Sequence, residues 1–216
     1  MRLSLDEATI SQLLRYLQLL QKWNQVYNLT AVRDLDGMVH QHLLDSLSVL
    51  PWMIGERVID VGSGAGFPGI PVALVRPQLA VTLLDSAEKK TAFLQQAVAE
   101  LGLRNADVVR SRAEDWQPPK RYDVAVSRAF AELGEFVSLA RHLVRHGGRL
   151  VAMKGVHPAA EMAQLPARLA AASATRQAPG DAAAGPRPAA AEVVPVTVPG
   201  LNAERHIVVI TPEPEA

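Results

Sequence analysis

An acid followed by closely spaced glycines carries the clearest chemistry in this chain. Asp60, Gly62, Gly64, Gly66 and Gly69 all fall within VIDVGSGAGFPGIP, Val58 to Pro71. An apolar run that ends in an acid and gives way to glycines predicts a strand, a tight turn and a helix. Glycine takes positive φ without steric cost and lets a ligand lie against the main chain. The helix that follows points its first amides at that ligand. A second apolar run, Leu79 to Leu84, ends in Asp85. An acid about 20 residues beyond such a turn accepts the hydroxyls of a bound ribose. These residues predict a nucleoside-containing cofactor. Gly64, Gly66 and Gly69 also fit G-x-G-x-x-G, the dinucleotide spacing, so an NAD-dependent oxidoreductase stays open at this point.

Alternating elements must position these residues. Residues 4–27 read as an amphipathic helix, with Ser4 and Glu7 as a capping box. Ile10, Leu13, Leu14, Leu17, Leu20 and Trp23 mark its buried face. Residues 34–50 read as a second helix, stopped before Pro51. Strands are expected at 56–61, 80–85, 105–110, 122–126 and 149–154, and helices at 68–76, 87–101, 130–146 and 158–173. That alternation implies a parallel sheet flanked by helices. Two further strands, 193–198 and 206–210, lie too close for a crossover helix and should pair antiparallel. The division expected is a helical extension, 1–54, ahead of one α/β unit, 55–216. Its Ala/Pro/Gly-rich stretch 178–191 reads as a flexible loop.

Composition narrows the classes. The 216 residues contain no cysteine, which excludes disulfides, thiolate metal sites and thiol-dependent methylation of cytosine C5. The start, MRLSLDEATISQ, lacks the apolar core of a signal peptide, and no apolar run has membrane-spanning length. A cytoplasmic protein without a membrane partner is expected. Basic and acidic side chains number 22 each, but 104–154 carry ten basic against six acidic, a local +4. A polyanion would meet that region, unless it is an ordinary solvated surface. His142 and His146 stand four apart on an expected helix; without a third ligand a solvated face is the reading, and no metal is expected.

Asp60, Gly62, Gly64 and Gly66 together resemble the D-x-G-x-G-x-G turn of S-adenosylmethionine (SAM) methyltransferases, and the terminal antiparallel hairpin resembles their seven-stranded, mostly parallel sheet. WNQVYNLTAV, HLLDSL, DVGSGAGFPGIPVAL, TLLDS, SRAED, SRAFA and MKG occur in order, and LNAERHIVVI follows at 201–210. This series resembles the glucose-inhibited division protein B family of guanine-N7 methyltransferases acting on 16S ribosomal RNA of the small ribosomal subunit. Residues 157–191 match it poorly.

The resemblance implies a class I SAM methyltransferase fold and SAM as cofactor. It implies that Gly62 and Phe67 contact SAM, that Ala113 and Glu114 hold its adenine side, and that Arg128, counted with the cofactor-binding residues, borders the transfer pocket and engages guanine O6, a phosphate or the SAM carboxylate. Asn28, Arg112 and Lys154 match polar positions facing the RNA or the pocket. Each has a plainer rival. Asn28 could be a left-handed cap, Arg112 or Lys154 an ordinary surface cation, Glu114 or Asp115 a cap. His42 and Asp45, in HLLDSL, suggest a proton relay, but helix packing is the preferred reading. Phe67, Trp116 and Phe130 could stack a base.

The chemistry asks little of the protein. The sulfonium carries the driving force, and guanine N7 has an in-plane lone pair and no proton to lose. No general base is expected; the rate should come from positioning, with Arg128 in that role. Methyltransferases of exocyclic amines resemble one another in an Asn/Asp-Pro-Pro-Tyr segment after the fourth strand. Here that place reads Ser127-Arg128-Ala129-Phe130. A small-molecule methyltransferase is the other alternative. A monomer is expected.

Overall fold

In the computed structural model, residues 3–128, 130, 132–165 and 190–211 are described. Seven strands form one sheet in the order β3-β2-β1-β4-β5-β7-β6. In chain order they are β1 (Arg57–Val61), β2 (Ala80–Asp85), β3 (Ala106–Arg110), β4 (Tyr122–Ser127), β5 (Val144–Lys154), β6 (Ala191–Pro195) and β7 (His206–Ile210). β1 to β5 run parallel, and β7 pairs antiparallel with both β5 and β6. This is the expected α/β architecture, a mostly parallel seven-stranded sheet ending in an antiparallel hairpin.

The central strands read as continuous apolar runs because both faces are covered. One face, through Val58, Val81, Leu83, Val124 and Val126, packs on three helices: α1 (Glu7–Tyr27), α4 (Gly69–Val75) and α5 (Glu88–Glu100). The other, through Ile59, Val61, Leu84, Ala125 and Leu150, packs on α6 (Leu133–Ala140). The N-terminal helix thus shares a core with the glycine unit. Among the described residues, no helix is long and apolar enough to cross a membrane.

Several expected boundaries move. Helix α1 is capped not by Ser4 but by Asp6, whose Oδ1 accepts the Thr9 N–H at 2.7 Å. Its buried line is Leu13, Tyr16, Leu17, Leu20 and Asn24; Ile10 and Leu14 lie at its flank, exposed. The expected second helix is broken. α2 (Leu35–Met38), capped by Asp34, passes into a π-helical turn, Val39–Leu44, then α3 (Asp45–Leu47) and a 3-10 turn, Leu50–Trp52.

The helix expected over 130–146 ends at Ala140, followed by a 3-10 turn, and Val144 already pairs with Tyr122. His142 and His146 therefore do not share a helix: one closes the turn and the other lies in β5. Gly147 and Gly148 belong to an irregularity in β5. Gly147 has φ 71°, and a Cβ on Gly148 would sit 3.0 Å from the Asp123 carbonyl oxygen. Of the helix expected at 158–173, residues 159–165 are helical and Pro158 lies just before them; 166–173, and 178–189 of the expected loop, lie outside the described residues.

Candidate functional site

The sheet's carboxyl edge gathers the sequence's polar residues, as open parallel sheets do. At the end of β1 the N–H groups of Gly62 and Ser63 both donate to the Leu84 carbonyl, at 2.8 and 3.0 Å. Gly62, Gly64 and Gly66 have φ of 73°, 60° and 94°. A Cβ on Gly64 would meet nothing closer than 3.9 Å, so the main chain there faces open space. Gly66 and Gly69 turn the other way. A Cβ on Gly66 would press to 2.5 Å on Ile70 and 2.9 Å on the Tyr16 hydroxyl, and one on Gly69 would sit 2.3 Å from Leu83. Those two glycines serve close packing of the loop onto α1, α4 and the sheet.

Asp85 ties the turn to β2. Its Oδ2 accepts the Gly64 N–H and its Oδ1 the Ala87 N–H, both at 2.9 Å, with Lys90 Nζ at 3.6 Å. Each carboxylate oxygen has acceptor capacity left for a ribose. A cavity of about 430 Å³ opens beside it, lined by Gly62, Asp85, Lys90, Arg112, Ala113, Glu114 and Phe130, among others. The residues present fit SAM. The open turn leaves room against the main chain, Asp85 supplies acceptors for hydroxyls, and the volume suits a nucleoside in the usual range for ligand pockets.

Phe67 does not line that cavity. It is buried, with its ring 5.2 Å from Tyr16 and 4.8 Å from His42, and the Arg128 guanidinium lies over it at 5.0 Å. Trp116 points elsewhere, its indole N–H reaching the Tyr122 hydroxyl at 3.4 Å.

A second cavity, of about 310 Å³, is lined by Gln41, His42, Asp45, Arg128, Met153, Lys154, Gly155 and Arg205. Here the structure joins residues far apart in the chain. Asp45 accepts from Arg205 Nε at 2.9 Å on Oδ1 and from Arg128 Nη1 at 3.4 Å on Oδ2. Lys154 Nζ donates to Glu161 Oε2 at 2.9 Å and to the Phe130 carbonyl at 3.3 Å. His42 Nε2 lies 2.6 Å from Thr30 Oγ1, and its Nδ1 lies 3.4 Å from Arg128 Nη1. Burial first, and then the Arg128 charge, push the His42 imidazole down to about 4. Asp45 accepts one arginine bond on each oxygen, which is more than helix packing and is not a relay with His42.

Two other buried groups sit under the glycine turn. Burial raises the Asp60 carboxyl to about 7, against the Gly69 N–H that its Oδ2 accepts at 2.9 Å. The Tyr16 hydroxyl donates to the Ala65 carbonyl, and burial holds its own ionisation well above the ordinary range. Neither residue lines either cavity.

The remaining expected positions are placed as follows. Asn28 caps α1 in the left-handed region, φ 50°, and its Oδ1 accepts from Arg33 at 3.2 Å. Arg112 is largely exposed at the first cavity's rim, 3.3 Å from Glu114. The basic excess of 104–154 is not one face. Arg110, Arg112, Arg128 and Lys154 stand at or beyond strand carboxyl ends, while Lys120, Arg121, Arg141 and Arg145 lie by the opposite ends of β4 and β5. Arg205 was not singled out from sequence, although it lies inside the LNAERHIVVI segment. Glu161 lies in the poorly matching stretch and gave no signal.

Comparison with known proteins gives the family and supports the fold. Residues 9–184 match the family model described as rRNA small subunit methyltransferase G. The chain is 53% identical over 207 residues to the ribosomal RNA small subunit methyltransferase G of Chromobacterium violaceum, covering 95% of this chain and 90% of that one. It is 50% identical to the protein of the same name from Laribacter hongkongensis, over 91% and 86% of the two chains. Among solved structures, the DhpI–SAH complex superposes with a TM-score of 0.56 at 15% identity, covering 98% of this chain and 100% of that one, a likeness of fold. The chain belongs to the rRNA small subunit methyltransferase G family.

Proposed function

We propose that this protein transfers a methyl group from SAM to N7 of a guanine in 16S ribosomal RNA. The first cavity, with Gly62, Asp85, Ala113 and Glu114 on its wall, holds the cofactor. The second, bordered by Arg128 and Lys154, receives the target base, and Arg112 on the outer rim meets the RNA backbone. Asn28 acts as the cap of α1. Gly64 and Gly66 shape the cofactor turn, and Phe67 acts from beneath as the plate on which Arg128 rests.

The observation that carries the reading is the character of the second cavity. It holds cations from β4, β5 and the approach to β7, and its one imidazole is kept uncharged near neutrality and committed to Thr30. Asp60, whose carboxyl burial raises to about 7, is sealed under the turn. Such a site positions a base that has no proton to give up, which is what N7 methylation needs. SAM supplies the electrophilic methyl when bound. Arg128 then orients the base or its phosphate, and Phe67 and Asp45 fix Arg128. The NAD reading is not favoured: the second glycine it needs open to the pyrophosphate, Gly66, faces the core instead.

The helical extension, 1–54, and the catalytic unit, 55–216, are functional divisions over one shared core. We read the enzyme as a cytoplasmic, metal-independent monomer acting on the small subunit or its RNA. The test is to incubate purified protein with labelled SAM and 16S RNA and digest to nucleosides. Label in 7-methylguanosine supports the reading; label on an exocyclic amine or a ribose hydroxyl overturns it.

A further inference from the structure

The second cavity contains a feature that N7 transfer itself does not need: a nearly buried carboxylate. We propose that Asp45 selects guanine, its carboxylate accepting the N1–H and one 2-amino hydrogen of the target base. The proposal rests on the guanine-N7 reading above and adds how the base is told from others.

The geometry supports it in three ways. Asp45 is 3% exposed, yet it lines the cavity. Arg205 and Arg128 take one lone pair on each of its oxygens, and a carboxylate offers about four acceptor positions. The two arginines therefore fix the carboxylate and leave capacity for two parallel donors. Guanine presents such a pair, N1–H and the 2-amino group, on one edge. Adenine would turn the N1 lone pair towards a negative charge, which is unfavourable.

Held by that edge, guanine keeps N7 on the far side, free of the protein. An arginine reading N7 would block the reacting lone pair, whereas Asp45 does not touch it. The cavity of about 310 Å³ has room for a purine.

The local backbone is the third support. The turn Val39–Leu44, VHQHLL, is π-helical and runs directly into Asp45. It contains neither proline nor glycine, and such turns are rare and concentrate at functional sites. Gln41, His42 and Asp45, from this turn and the residue after it, all line the cavity.

The test compares guanosine with inosine, which lacks only the 2-amino group. After the methylated guanosine has been mapped, 16S RNA is rebuilt by ligation with inosine at that position. For the wild-type enzyme, kcat/KM on the inosine RNA should fall at least roughly tenfold, the loss of one hydrogen bond to a charged group. Asp45→Asn should lower kcat/KM on guanosine RNA and bring the guanosine-to-inosine ratio towards one, with SAM affinity retained.

Equal use of the two RNAs by the wild-type enzyme overturns the proposal, and this holds even if Asp45→Asn fails to fold. A variant that is weaker on both RNAs at an unchanged ratio also overturns it, because Asp45 would then only hold the arginines. A wild-type product other than 7-methylguanosine instead defeats the N7 reading and is recognised at the mapping step.

Discussion

The two cavities at the sheet's carboxyl edge are built in different ways. The first is mostly local: Gly62, Gly64 and Asp85 sit at adjacent strand ends, where main-chain N–H groups donate to the Leu84 carbonyl and to the Asp85 carboxylate. The second is assembled from distant parts. Asp45 from the helical extension meets Arg128 beyond β4 and Arg205 before β7 through side chains alone. A main-chain cradle suits a cofactor whose shape never varies. A charged side-chain cluster, fixed by mutual pairing, suits a substrate that must be oriented and released. Loss of a residue from the first should weaken SAM binding, whereas loss from the second should spare SAM binding and weaken transfer.

The largest expected effect tests that separation. Arg128→Ala should lower single-turnover methylation by about 10²-fold, the scale of a misplacement of about 1 Å. SAM affinity, measured by calorimetry, should stay near wild type. A large loss of SAM affinity would move Arg128 into the cofactor site and merge the two regions. Asp85→Ala should do the reverse. Losing charge-assisted hydrogen bonds, at roughly 1.5–3 kcal/mol each, should weaken SAM at least about tenfold. Unchanged SAM affinity would remove Asp85 from the cofactor site.

The same contrast explains what the sequence made legible. The glycine turn and Asp85 could be found because strand, turn and acid are neighbours with fixed spacing. The hairpin could be placed because too few residues separate its strands for a helix. Asp45 looked like helix packing because its partners, Arg128 and Arg205, lie 83 and 160 residues away. The π-helical turn before it has no breaker residue to announce it. The start of β5 was hidden because the pairing of Val144 with Tyr122, which sets it, is a tertiary fact. Charge totals misled for a related reason: contiguous residues 104–154 fold to opposite ends of the same strands.

A smaller effect should come from the rim. Arg112 is mostly exposed and its pairing with Glu114 is therefore weak. Arg112→Glu should reduce RNA affinity several-fold at low salt, on the order of one phosphate contact, and make binding less salt-dependent. SAM affinity should hold. Lys154→Glu is a poorer probe, because it would face Glu161 across a distance now spanned by an ion pair. A salt-independent affinity for RNA in the wild type would argue against phosphate contacts at this rim.

In the wild type the smallest net effect is in stability, because the two regions contribute with opposite signs. Asp60, under the first, has a folded pKa of about 7 against an ordinary 3.8. Between those values the folded state holds a proton that the unfolded state has lost, so stability falls as pH rises. His42, in the second, has a folded pKa of about 4 against 6.5. There the unfolded state holds the extra proton, so stability rises with pH across that window. From pH 4 to 6.5 the two oppose one another, and from 6.5 to 7 Asp60 acts alone. Asp60→Asn should therefore remove the falling contribution, and His42→Gln the rising one, in urea unfolding followed from pH 4 to 7. A wild-type pH dependence retained by Asp60→Asn would mean that the carboxyl is not held protonated under the turn. The same variant sharpens the chemistry. An ionisation near neutrality in single-turnover methylation should disappear with Asp60→Asn, because it would report the state of the turn. One that persists in both variants would belong to a general base, and the substrate atom would then have to be one that loses a proton.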